Sequence, residues 1–157
     1  METLEKLSSL QFYKILVSKI FKPATSIITF NTKYNTVLDW EKIFMIPRFA
    51  CTDTYTRIFQ YKILHNILFL NDRLYHLKLS DTQLCSLCKG EKETCQHLFL
   101  DCKISKNNWR HLQSKICNVI SLKDLNPQSA FCGFLDEEKN TFNIKNQLLL
   151  IFKCFIY

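Results

Sequence analysis

Four side chains of the kind that bind metal ions lie close together in the middle of this 157-residue chain. Cys85 and Cys88 form a Cys-x-x-Cys pair, and His97 and Cys102 follow after a gap of eight residues. Such a pair presents two thiolates from one tight turn, and a second pair a short loop away completes the tetrahedron that Zn²⁺ prefers. The spacing therefore predicts one zinc ion. Cys95 is a rival for the third position and would make a four-cysteine site, but we favour His97.

A site with four protein ligands has no open coordination position, so the zinc is expected to be structural rather than catalytic. Gly90 follows Cys88 closely, where a turn leaving the site would benefit from a glycine. The other cysteines have no partner at metal-ligand spacing, and we interpret them as buried core thiols. They are Cys51, Cys117, Cys132 and Cys154.

The composition indicates a helical, globular chain. Hydrophobic residues make up 47% of the sequence, which is too many for a disordered protein. Only 2 glycines and 3 prolines occur, which argues against β-sandwiches, barrels and glycine-rich phosphate loops. The sequence starts without the basic and apolar segments of a signal peptide, and it has no run of eighteen apolar residues. We expect an intracellular protein, nuclear or cytoplasmic, with no membrane partner.

The apolar periodicity predicts a mainly α fold, a small irregular helical domain with one zinc-stabilised Cys-Cys-His-Cys turn. We expect a single domain over 1–157. Its parts are a helical lead-in over 1–50, a zinc-binding core over 53–112 that contains the Cys85–Cys102 module, and a loop with a C-terminal helix over 121–157.

Individual helices follow from the same pattern. A first helix is expected to run to about Phe21, residues 24–36 to form a loop or a short extended piece, and a helix capped by Asp39 to end at Pro47. A central helix capped by Asp53 or Thr54 is expected to extend to Leu70. Residues 121–140 are predicted to form a loop, and a last helix starts at about Thr141.

A longer pattern around the ligands is similar to a known family. The residues that carry it are Arg57-x-Phe59-Gln60-Tyr61-Lys62-Ile63-Leu64-His65, Asn71, Cys85-x-x-Cys88, Glu93-Thr94-x-x-His97-Leu98-Phe99, Asp101-Cys102 and Trp109. They resemble the reverse transcriptase zinc-binding domain, which lies downstream of the polymerase in LINE-type retrotransposon proteins. The match is dense over 53–112 and looser outside. The resemblance implies that Cys85, Cys88, His97 and Cys102 hold the zinc.

The resemblance also implies an accessory role in handling nucleic acid, RNA or DNA, next to a reverse transcriptase polymerase segment. The formal net charge of +7 fits such a partner. Lys103, Lys106 and Arg110 share one face of a predicted helix, and Arg57 and Lys62 are further candidates for phosphate contacts. We expect no small-molecule substrate.

Two other functions compete with nucleic-acid binding. In the first, the helices pack on the polymerase and the zinc is purely structural. In the second, Glu137-Glu138-Lys139 with Asp124 upstream forms a nuclease site, but such triplets are common by chance. The chain contains no adjacent Asp-Asp pair of the kind that binds metal in polymerases. We therefore expect a chain that is not an enzyme, and interpret it as a fragment, a degenerate copy or a separately expressed piece of a larger protein.

Overall fold

The computed structural model describes residues 8–20, 22, 24–116, 126–135 and 139–157, and their fold is helical, as predicted. The α-helices are α1 (Ser9–Ile20), α2 (Thr25–Tyr34), α3 (Trp40–Ala50), α4 (Thr54–Leu64), α5 (Asn71–His76), α6 (Lys103–Ile116), α7 (Pro127–Cys132) and α8 (Lys139–Ile156). A π-helical turn, His97–Asp101, lies between α5 and α6. Within these residues the β-type pairing is one isolated bridge between Leu84 and Lys92. The division into three parts stays a prediction.

The core forms where α8 packs against α3 and α4, while the π-helical turn contacts α6, α7 and α8. Its most buried large apolar side chains are Ile43, Leu98, Phe99, Leu149 and Leu150. In the described part of the chain, every helix is too short or too polar to cross a membrane.

The segment over 24–36 is helix α2, so the prediction of a loop was wrong. Phe30 packs edge-on against Trp40 at 5.6 Å and against Phe131 at 6.3 Å between ring centroids. The Trp40 ring also donates a hydrogen bond to Asn31 Oδ1 (3.1 Å). These partners lie outside the segment, and their packing outweighs the weak helix propensity of its Thr, Ile and Asn residues.

Helix α3 begins as predicted and continues past the predicted end. The Asp39 side chain accepts a hydrogen bond from the Lys42 N–H (3.1 Å), which caps the helix. Pro47 lies inside the helix, and the Cys51 N–H still bonds to the Pro47 carbonyl (3.1 Å). The helix tolerates the proline because one side of it is buried in the core. That side consists of Ile43, Ile46, Pro47 and Ala50.

Helix α4 is capped by Asp53, as predicted, but it ends at Leu64 rather than Leu70. Asn66 adopts a left-handed conformation with φ 50°, and the Ile67 N–H donates to the Lys62 carbonyl (2.8 Å). This arrangement is a Schellman motif, and Asn is one of the few residues that tolerate its left-handed position. The apolar stripe therefore continues in extended chain, in which Leu68 and Leu70 remain buried.

Helix α7 interrupts the predicted loop over 121–140. Asn126 and Ser129 form a reciprocal capping box, and Pro127 occupies the first turn. Gly133 ends the helix with φ 88°, and a Cβ atom there would lie 2.6 Å from Asn146 Oδ1. The glycine is therefore required at this position.

A buried lysine lies on α8, within an apolar stretch of the sequence. Lys153 is 1% exposed, and its Nζ donates to Gln60 Oε1 (2.5 Å) and to the Ala130 carbonyl (3.0 Å). Gln60 Nε2 in turn donates to the Phe131 carbonyl (2.6 Å). We call this group the buried lysine network; it links α4, α7 and α8.

Candidate metal centre

The structure brings the four predicted ligands to one point. The Sγ atoms of Cys85, Cys88 and Cys102 and a ring nitrogen of His97 all lie within 4.8 Å of one another. Cys85 and Cys102 are completely buried, and His97 is 6% exposed. We call these four residues the metal cluster. That they bind zinc stays a prediction.

The spacing of the donor atoms suits a tetrahedral ion. Zn–S bonds of about 2.3 Å place two thiolates of a tetrahedron roughly 3.8 Å apart. Cys85 Sγ and Cys102 Sγ are 4.0 Å apart, and Cys88 Sγ lies 3.2 Å from His97 Nε2. The donor set, three thiols and one imidazole, is one that Zn²⁺ takes in structural sites.

A tight turn positions the first two ligands. The Cys85 N–H donates to the Glu91 carbonyl (2.7 Å), and the Lys89 N–H donates to the Cys85 carbonyl (2.8 Å). Lys89, with φ 53°, takes the left-handed position of this turn. A Cβ at Gly90 would make ordinary contacts at 3.8 Å and beyond, so the turn does not need the glycine that we expected it to use.

The π-helical turn brings the other two ligands, His97 and Cys102, to the same side of the chain. His97 and Cys102 are five residues apart, which does not place them on one face of an α-helix. The Cys102 N–H donates to the His97 carbonyl (2.7 Å), an i→i+5 bond, and Cys102 lies just past the end of the turn. Thr94 Oγ1 accepts a hydrogen bond from the His97 N–H (3.1 Å), which caps the helical segment that carries His97.

Glu91 orients the histidine. Its Oε2 lies 3.1 Å from His97 Nδ1, while His97 Nε2 faces Cys88. A carboxylate on Nδ1 favours the tautomer with its proton there, which leaves Nε2 free to bind a metal ion. Sequence reasoning missed this role because the two residues are six positions apart along the chain and only the turn brings their side chains together.

The Glu93 carboxylate joins the Cys85–Cys88 turn to the start of α5, an arrangement that we call the Glu93 clamp. Glu93 is 5% exposed, and its carboxylate accepts hydrogen bonds from the Ser86 N–H (2.5 Å) and the Asn71 N–H (3.0 Å). Among the described residues no Lys or Arg forms an ion pair with it, so these two backbone N–H groups and the Asn71 side-chain amide (3.5 Å) stabilise the buried carboxylate. The sequence showed Glu93 only as part of the family pattern.

The two thiols of the turn differ electrostatically. The backbone N–H of Gly90, together with the His97 ring, lowers the pKa of Cys88 to about 6. Burial raises the pKa of Cys85 to about 11. A cation in the cluster would counter this effect of burial, because it favours the ionised form of every thiol around it.

The remaining cysteines have separate environments. The structure does not include Cys95 in the metal cluster, and burial raises the pKa of its thiol to about 11. Cys132 is a buried thiol, as predicted, whereas Cys51 is half-buried. Cys154 is exposed, so its assignment to the core was wrong. Cys117 falls outside the described residues.

The predicted nucleic-acid contacts fall into two groups. Lys103, Lys106 and Arg110 are all exposed on α6. Arg57 instead donates from Nε to the Cys51 carbonyl (2.8 Å), and Lys62 Nζ lies 6.0 Å from the centre of the Phe69 ring. Their roles stay predictions. The proposed nuclease residues Asp124, Glu137 and Glu138 fall outside the described residues, and Lys139 begins α8.

Comparison with known families supports the interpretation of the cluster. A family model described as zinc-binding in reverse transcriptase matches residues 24–109, more than half of the chain. The matched segment runs from the residue before α2 into α6 and contains the whole metal cluster. No curated protein and no solved structure matches the chain significantly.

Proposed function

The chain belongs to the family of zinc-binding domains of reverse transcriptases, and from this premise we propose that its metal cluster holds one structural Zn²⁺ in a module that binds nucleic acid. The observation that carries the proposal is the convergence of four donor atoms within 4.8 Å inside the matched segment. Residues Cys85, Cys88, His97 and Cys102 would hold the ion. The ion would cross-link the Cys85–Cys88 turn to the π-helical turn. Its four protein ligands would leave no open coordination position for catalysis.

Metal analysis of the purified chain tests the first half of this proposal. We expect one zinc per chain in the wild type and in C95S, and substoichiometric zinc in H97Q. C95S is the matched control, because Cys95 was the rival third ligand and lies outside the cluster. A wild-type chain without zinc, or zinc lost in C95S and kept in H97Q, would contradict the assignment.

The second half of the proposal, nucleic-acid binding, rests on exposed cationic side chains of α6. Lys103, Lys106 and Arg110 project from α6 directly after the ligand Cys102, and no described carboxylate forms an ion pair with them. Phosphate groups of RNA or DNA are the partners that such a free cationic face attracts. The excess of 21 basic over 14 acidic residues acts in the same direction.

Fluorescence anisotropy with a structured RNA and a duplex DNA, each at 50 and 200 mM salt, tests the binding. We expect K103Q/K106Q/R110Q to weaken binding to duplex DNA and to reduce the salt slope by about 3. K14Q/K19Q/K22Q removes the same charge from exposed lysines of the N-terminal region and is the control. No binding by the wild type at low salt would refute nucleic-acid binding.

We place the module in the context of a LINE-type retrotransposon protein, as an accessory segment without catalytic activity of its own. The support is the dense motif over 53–112. A second function, packing against a polymerase segment, is favoured by α1, which has no buried residue and exposes Leu10, Tyr13 and Ile20. Aggregation of the isolated chain that is relieved by co-expressed polymerase would support packing, and a soluble monomer would count against it.

A further inference from the structure

A cavity of about 480 Å³ lies beside the metal cluster. One wall is α2, the second is the end of α4 with the residues that follow it, and the third is the segment Thr94–Gln96 directly before His97. The volume falls within the range of about 300–1,000 Å³ typical of small-molecule sites. No function assigned above uses this cavity.

The charges around the cavity have one sign. Lys33 on α2 and Arg73 on α5 line it, and none of the residues around it is Asp or Glu. Lys33 Nζ donates to Gln96 Oε1 (2.7 Å) and Arg73 Nη1 donates to the Asn66 carbonyl (2.8 Å), so both cations have neutral partners only. A ligand with a negative group is therefore favoured, and a metal ion or an amine is not.

Apart from these two cations, the cavity lining combines aromatic rings with neutral polar groups. Phe30, Tyr34 and Trp40 are half-buried and line the cavity. Ser26 lines it too, and its sheltered Oγ has no hydrogen-bond partner in the described structure. Buried hydroxyl groups are normally paired, so an unpaired one at a cavity wall indicates a missing polar partner.

Aromatic rings, neutral hydrogen-bonding groups and cations together match the parts of a nucleotide. Rings stack on a base, hydroxyl and amide groups bond to its edge, and cations contact the phosphate. We propose that this cavity binds one nucleotide of a single strand, with the base at Tyr34 and Trp40 and the phosphate at Lys33 and Arg73. The proposal rests on the nucleic-acid function proposed above and names the form of nucleic acid that this site takes.

The cavity is joined to the metal cluster through its third wall. Thr94 lines the cavity and also caps the turn that carries His97, and Gln96 accepts hydrogen bonds from Lys33 and from the Tyr34 hydroxyl (3.3 Å). Metal binding would thus hold the cavity wall in place. This arrangement gives a structural ion a direct role in shaping a binding site.

Tryptophan fluorescence offers a direct test, because the two tryptophans differ. Trp40 lines the cavity, whereas Trp109 is 4% exposed and packs on Phe152. We expect adenosine or uridine monophosphate to quench the emission of the wild type, and ribose 5-phosphate, which lacks a base, not to quench it. The W40F variant should lose this quenching. K33Q/R73Q should raise the Kd for the nucleotide about tenfold. K14Q/K19Q/K22Q, at exposed lysines outside the cavity lining, should leave it unchanged.

Photocrosslinking of a 12-nucleotide single strand that contains 4-thiouridine supplies a readout independent of folding differences between variants. We expect crosslinked peptides from α2 and the start of α3. Crosslinks confined to α6, with no quenching by either monophosphate at millimolar concentration, would overturn the cavity assignment and leave nucleic-acid binding intact. Absence of binding to the structured RNA, the duplex DNA and the 12-nucleotide strand, with quenching retained, would refute the proposed function. The cavity would then bind a free mononucleotide and not a nucleotide of a strand.

Discussion

The metal cluster and the buried lysine network both contain buried ionisable side chains, but the groups that surround these side chains differ. In the cluster, the sulfurs of Cys85 and Cys102 are fully buried and lie within 4.8 Å of the Cys88 sulfur and a His97 ring nitrogen, a donor set that a bound cation would satisfy. In the network, Lys153 bonds to Gln60 and to the Ala130 carbonyl, so neutral groups of the chain itself surround the amine. Burial lowers the pKa of Lys153 from its usual 10.5 to about 7.

The difference predicts different sensitivities. The first region should respond to metal, since its thiols are arranged for an ion that replaces their protons. The second should respond to pH, since an amine with no acidic partner is stabilised by losing its proton.

Removal of a ligand should have the largest effect. C102S is expected to lose the bound metal and the fixed structure around the turn, because structural zinc sites contribute on the order of 10 kcal/mol to folding. Near-UV circular dichroism and thermal unfolding with and without a strong chelator measure this loss. C154S changes an exposed cysteine outside the cluster and should behave like the wild type. A C102S variant as stable as C154S would refute a structural metal.

Replacing the buried amine should flatten the pH dependence of stability. The folded pKa of Lys153 lies below its unfolded value, so the unfolded chain binds more protons between pH 7 and 10.5, and the wild type gains stability as pH rises. We expect the free energy of unfolding of the wild type to rise relative to that of K153M by about 1 kcal/mol per pH unit between pH 7 and 9.

Chemical denaturation at several pH values measures this slope. Ionisable groups around Lys153 are the thiols of Cys95, Cys132 and Cys154, whose raised pKa values reduce stability at high pH in both variants. The difference between the wild type and K153M therefore isolates the amine. K106M, at an exposed lysine, is the control; equal slopes in all three proteins would show that Lys153 stays protonated in the fold.

The stability that the Glu93 clamp provides should fall when one of its two acceptor oxygens is replaced. Glu93 receives the Ser86 and Asn71 N–H groups on different oxygens, and E93Q would place an NH₂ group against one of them. We expect E93Q to lower the free energy of unfolding by about 2 kcal/mol. E41Q, on the exposed side of α3, should cost far less. An unchanged midpoint in urea for E93Q would show that the clamp contributes nothing.

The smallest effect is expected at Glu91, whose carboxylate is largely exposed where it meets His97 Nδ1. E91Q keeps a hydrogen-bond acceptor and loses the charge, so zinc affinity should fall by about tenfold, the lower end for such partners. Competition with a chromophoric chelator measures the affinity. D81N removes an exposed carboxylate elsewhere and should leave it unaltered; a matching drop in D81N would mean that net charge alone sets the affinity.

Features that depend on a few neighbouring residues were predictable from the sequence. The Asp39 and Asp53 caps follow from the hydrogen bond that a short acidic side chain offers to N–H groups three residues on. The Cys-x-x-Cys pair predicts its own turn in the same way. These features are local, because the groups that satisfy each other are joined by a few bonds of one chain.

Errors arose where a distant partner outweighs local preference. Helix α2 forms in a Thr- and Asn-rich segment because Phe30 meets Trp40 and Phe131. The prediction that Pro47 ends α3 was wrong because burial of that side offsets one lost hydrogen bond. The helix propensities of Thr and Asn differ from that of Ala by less than about 1 kcal/mol per residue. Burial of one large apolar side chain stabilises the fold by more than that.

The order of the four ligands along the chain was enough to suggest a zinc site and its residues. Their meeting point depends on the π-helical turn, on Glu91 and on Glu93, none of which the spacing reveals. Lys153 shows the same limit more clearly. A lone lysine in an apolar stretch gives no sign of its partner Gln60, which lies 93 residues away along the chain. Spacing along a chain encodes local geometry, whereas burial and the pairing of distant polar groups exist only once the helices have packed.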